Sequence, residues 1–161
     1  MNKEFLLMLH PTFGVLGMLA AVWVLVEVIN LSDTNRGRIK AASLAVAVLI
    51  WLSFIFGGYW YVQFYGADKE IIKQGPWPFA HSFFMETKEH LFFVMLLIGT
   101  YLPIAASGAV SGVASRNRLA VEPGARNLLL TLSALIVLLG LAMEGSGAIV
   151  GLGVKMGLLG N

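Results

Sequence analysis

The stretch "FLLMLHPTFGVLGMLAAVWVLVEVINL", Phe5 to Leu31, runs 27 residues with one histidine, one glutamate and otherwise almost only apolar side chains. About 20 helical residues cross a hydrocarbon core of roughly 30 Å, so this stretch is long enough to span a membrane. It is too long for the apolar core of a signal peptide and reads as a retained first helix. Three further runs match it: Ala41–Tyr65, His90–Val113 and Leu128–Val154. In lipid a helix satisfies its own backbone hydrogen bonds. The expected fold is therefore an all-α membrane protein, a single four-transmembrane-helix domain over residues 1–161 with helices at about 5–31, 41–65, 84–113 and 127–154.

Composition agrees. The chain is 58% hydrophobic and 12% charged, with a mean hydropathy of +0.80, where soluble domains carry about 25% charged residues. It has no cysteine, which excludes disulfides, covalent c-type haem, iron–sulfur clusters and thiolate zinc sites. Any metal must be held by His, Met or carboxylate. A formal charge of +2 without a basic face argues against nucleic acid.

The connections suggest an orientation. Arg36, Arg38 and Lys40 lie in the first loop and Arg116, Arg118 and Arg126 in the third; by the positive-inside rule both face the cytoplasm. Both termini and the second loop then face outward, as in a bacterial inner membrane with periplasmic termini. The second loop, Gly66–Glu89, contains "GPWPFAHSFF" and is expected to cap the bundle at the interface. Ser82 is placed to start an amphipathic turn into the third helix, and Pro103 to kink that helix. In the fourth, glycines at 145, 147, 151, 153, 157 and 160 either pack against a neighbouring helix or let the helix end loosely.

Ionisable residues within or beside a span are costly and point to function. They are His10, Glu27, His81, Glu86, Glu89, His90 and Glu144. Glu27 reads as an interfacial carboxylate beside Arg36 or Arg38. His10 and His90 head helices that start on the same side, and so are expected at equal depth. Glu144 lies 17 residues after Asn127, about 26 Å up the fourth helix. Two histidines at one depth suit axial ligation of a haem b iron, which makes His10 and His90 the metal ligands. Gly14 and Gly17, at i+4 and i+7 from His10, would leave flat space for the porphyrin. Phe92, Phe93, Val94 and Met95 would pack on it, and Lys88 and Lys73 would meet the propionates. His81 is a spare ligand or a propionate contact. Glu144, with Tyr59, Gln63 or His81, could serve a quinone.

The segment "LHPTFGVLGM", Leu9 to Met18, resembles the His-Pro segment that opens a haem-binding helix in the cytochrome b561 superfamily. The resemblance implies that His10 is a haem ligand. It does not extend to that family's two haems, because the second and fourth helices contain no histidine. The leading expectation is a b-type cytochrome subunit carrying electrons between the quinone pool and a periplasmic partner such as a c-type cytochrome, within a respiratory or photosynthetic complex. The alternatives are a cofactor-free membrane anchor and a metal or proton transporter using His10, Glu86, His90 and Glu144.

Overall fold

The computed structural model describes residues 3–111 and 123–160. Arg116, Arg118 and the expected Val113 end of the third span lie outside the described residues. Four long helices carry the fold: α1 (Lys3–Ile29), α2 (Arg36–Gln74), α3 (Glu86–Ser111) and α4 (Pro123–Leu159). All four are long and apolar enough to cross a membrane, and the described residues include no strand. Large apolar side chains such as Leu19, Val62, Leu97 and Leu138 are exposed on the bundle's exterior, as lipid contact requires. The chain is an integral membrane protein.

Consecutive helices run antiparallel. Lys3 at the start of α1 pairs with Asp68 late in α2 at 3.1 Å, Gly17 packs on Ile50, and Gly99 of α3 packs on the same Ile50. Met18 lies against Gly140 of α4. Lys3 and Leu159 therefore share one end of the bundle, called here the terminal end. The opposite end is closed by polar clamps. Asn35, almost fully buried, donates to the carbonyls of Glu27 (2.8 Å) and Asn30 (3.1 Å), while its own amide oxygen accepts from Ser32 N–H (2.9 Å). Arg126 donates to the carbonyls of Val28 and Ile29. These bonds satisfy acceptors left free where α1 stops. Glu27 holds Arg38 through two contacts at 2.7 and 3.1 Å and accepts from Trp23.

The expected capping loop at Gly66–Glu89 is corrected. α2 continues through Gln74, and a π-helical turn at Ala80–Met85 leads straight into α3. Residues 66–74 stay helical because Ile72, fully buried, and Ile71 pack against Gly153 and Gly157 of α4. With 39 and 37 residues, α2 and α4 are about 58 and 55 Å long, well beyond the roughly 30 Å hydrocarbon core. Of the two readings of the α4 glycines, close packing holds at Gly153 and Gly157. A Cβ on Gly157 would stand 2.6 Å from the Ile71 carbonyl oxygen, so nothing larger than glycine lets α2 and α4 approach this closely. Gly145 and Gly151 face open space.

Candidate functional site

The polar residues gather in two layers. The deeper one starts from His10 on α1 and Ser53 on α2. His10 Nδ1 lies 2.9 Å from the Ser53 carbonyl oxygen and 3.0 Å from Ser53 Oγ, and Ser53 Oγ donates to the His10 carbonyl at 2.9 Å. A carbonyl only accepts, so Nδ1 carries the proton and Nε2 keeps a free lone pair. The ring reaches Ser53 because residue 57 is glycine: a Cβ there would collide with the imidazole. Phe92 of α3 closes the far side, its ring centroid 6.0 Å from that of His10.

Lys88 of α3 and Glu144 of α4 complete this layer. Both line the same small cavity as His10 and Ser53, and each charge lies in the other's field. The Glu144 carboxylate sits against Gly14, whose absent Cβ would come within 3.2 Å of Oε1. The Lys88 ammonium lies beside Gly147. Three methionines, Met18, Met95 and Met143, also reach the cavity. Its volume is about 10 Å³, near the minimum that holds one water molecule. Glu144 and Ser53 stand close to the middle of their apolar runs, whereas His10 and Lys88 stand near the starts of α1 and α3.

The second layer is nearer the terminal end. Tyr65 hydroxyl meets His81 Nδ1 at 3.0 Å, and His81 Nε2 lies 3.8 Å from Glu86, whose side chain is 58% exposed. Tyr61 stacks on Tyr65 with centroids 5.0 Å apart and faces Glu89, one oxygen of which is buried without a hydrogen-bond partner. Polar groups thus lead from exposed Glu86 through His81, Tyr65 and Tyr61 to Glu89, whose chain neighbour is Lys88. Toward the opposite end the core is Val24, Val46, Leu102, Ala106, Leu132 and Ile136, interrupted by buried Ser43 and Ser133.

The expected haem pair is not brought together. His90 is exposed, bonds the Glu86 carbonyl through Nδ1 at 2.7 Å, and lines an exterior groove with Ser82 and Thr87. His10 instead meets α3 at Phe92. At about 100° per residue, positions two apart on a helix point roughly 200° apart, so the face of α3 that meets His10 turns His90 outward. Gly14 and Gly17 leave no flat space either: Ser53 and Glu144 cover the first, Ile50 and Leu49 the second. Lys88 is inside the bundle rather than at a propionate position. His81, 5% exposed, is held between Tyr65 and Glu86. A cavity of about 10 Å³ compares with about 300–1,000 Å³ for organic ligands and cofactors. The residues present do not fit a haem, including the ligand role that the cytochrome b561 resemblance implies for His10.

The quinone set also separates, because Tyr59 and Gln63 are exposed on the outside of α2 while Glu144 lines the cavity. Among the described residues no group of three His, Cys, Asp or Glu converges to hold a metal. Ser53, Met18 and Met143 were not expected at the site, and Met95 was expected only as packing for a porphyrin; Ser53 is signalled only by its place at the midpoint of Ala41–Tyr65. Comparison with protein-family models, curated proteins and solved structures gives no match.

Proposed function

We propose that this protein is a small-cation site buried in a bacterial inner membrane and loaded from the periplasmic face. The observation that carries the reading is the cavity shared by Lys88, Glu144 and His10, sized for a single water or ion and lined by all four apolar helices. A carboxylate in such surroundings is unstable without a cation, because the desolvation cost of a lone charge is several kcal/mol. Lys88 supplies that cation within the chain, and an arriving ion takes its place beside Glu144. The Lys3 and Leu159 end carries the ladder of Glu86, His81, Tyr65 and Tyr61. The basic residues Arg36, Arg38, Lys40 and Arg126 support reading the other end as the cytoplasmic one. The apolar inner half makes the protein a receiving site opened from one side rather than a through-channel.

Thermal unfolding of the detergent-purified protein against Na⁺, K⁺, Mg²⁺, Zn²⁺ and Cu(I) tests this. A cation that binds the folded state at 100 times its Kd adds about 2.7 kcal/mol, which is about 5–10 °C for a chain of this size. One class of cation is expected to raise the Tm of the wild type and not that of Glu144→Gln. If no cation moves the wild-type Tm, the layer is a structural lock and the protein reads as a cofactor-free anchor.

A further inference from the structure

We infer that His10, Met18, Met95 and Met143 form a binding site for a soft monovalent metal ion, Cu(I); the inference rests on the small-cation reading and names the ion. The donors come from three helices and meet at one cavity: His10 and Met18 from α1, Met95 from α3, Met143 from α4. Three of the chain's seven methionines line this single small space. Buried methionine ordinarily fills apolar gaps. Here the same walls also carry His10, Ser53, Lys88 and Glu144, so three thioethers share one small space with an imidazole and a carboxylate, a donor set that gap-filling alone does not call for.

The histidine is prepared for ligation. A metal-binding imidazole characteristically donates its other N–H to a backbone carbonyl, which fixes the tautomer and the ring. His10 does so to Ser53 at 2.9 Å, leaving Nε2 as the free donor atom. Thioether and imidazole ligands select Cu(I) over hard cations, which take oxygen donors and keep several waters. With room for about one water, the cavity admits a bare ion and not a hydrated one. The charges fit as well. The four donors are neutral, and Glu144 balances either the Lys88 ammonium or a bound monocation. Cu(I) and Lys88 therefore compete for one carboxylate, and the lysine acts as a tethered counter-ion that the metal displaces.

The test is a competition titration of the purified full chain with Cu(I), kept reduced by ascorbate, against the chromogenic chelator bicinchoninate. One Cu(I) per chain is expected. Met18→Leu/Met143→Leu, which conserves volume, is expected to weaken binding on the order of 100-fold or more, and Met95→Leu by about 10-fold or more. Met8→Leu/Met156→Leu, outside the cavity, leaves binding unchanged, and Lys88→Leu, which adds no donor atom, tightens it by removing the competitor. Size-exclusion profile and helical circular dichroism certify the fold of each variant, with Met95→Leu as the milder change should the double variant not fold. Absence of Cu(I) binding by folded wild type, or binding undiminished in the folded methionine variants, overturns the inference. If another cation binds in a Glu144-dependent manner while Cu(I) does not, the choice of ion fails and the small-cation reading stands. If no cation binds, both fail.

Discussion

At the scale of single residues, the question is what Lys88 and Glu144 do for each other. Both are half-buried among apolar helices, where removing one of two opposite charges leaves the other without compensation, whereas removing both relieves it. Lys88→Met alone is therefore expected to lower thermal stability and Lys88→Met/Glu144→Gln to recover most of the loss, with a coupling of about 0.5–3 kcal/mol in a double-mutant cycle. Additive effects would mean that the two side chains do not sense each other. His10 gives a second comparison. Ser53→Ala leaves the carbonyl that accepts from Nδ1 but removes the hydroxyl that donates to the His10 carbonyl, at a cost of about 0.6–2 kcal/mol, while Gly57→Ala drives a methyl into the imidazole and is expected to cost about 1–3 kcal/mol. Full tolerance of Gly57→Ala in thermal unfolding would place the ring elsewhere. His10 and Glu144 are legible in the sequence because an ionisable group inside an apolar run is conspicuous, whereas Lys88 sits in the polar stretch before the third run and reads as an interfacial charge. Ser53 and the methionines are not, since both residue types are ordinary in membrane helices. The His10–His90 pairing fails on helical phase: equal depth says nothing about azimuth, and two residues on α3 separate inside from outside.

Among the elements, α2 and α4 are where sequence and structure diverge most. The polar run "GADKEIIKQ", Gly66 to Gln74, resembles a loop by composition, but Ile71 and Ile72 form an apolar edge that α4 meets through Gly153 and Gly157. That contact pairs residues some 80 positions apart, beyond the reach of local propensity. It also separates glycines by role. Gly157→Ala, facing the Ile71 carbonyl, is expected to destabilise the protein by about 1–3 kcal/mol. Gly145→Ala and Gly151→Ala, facing open space, should be neutral or gain up to about 1 kcal/mol, the helix-propensity difference. Thermal unfolding of the three variants checks this, and an equal loss in all three would contradict the close α2–α4 contact. The apolar spans themselves are legible within a few residues, because about 20 apolar residues in a row have few other uses.

For the whole molecule, the polar ladder and the apolar inner half make the two ends of the bundle unequal, and orientation decides which compartment the site serves. The chain has no cysteine, so single cysteines report topology without background. Gln74→Cys is expected to react with a membrane-impermeant maleimide in intact cells, and Thr34→Cys only after permeabilisation. The reverse pattern would turn the site toward the cytoplasm. The central claim is that the buried layer holds one small cation, and equilibrium dialysis of the purified protein with elemental analysis measures it most directly. One ion per chain in wild type, retained in Glu86→Gln and lost in Glu144→Gln, is the predicted result. Folded wild-type protein that retains none, or an ion that survives Glu144→Gln at full occupancy, would contradict it.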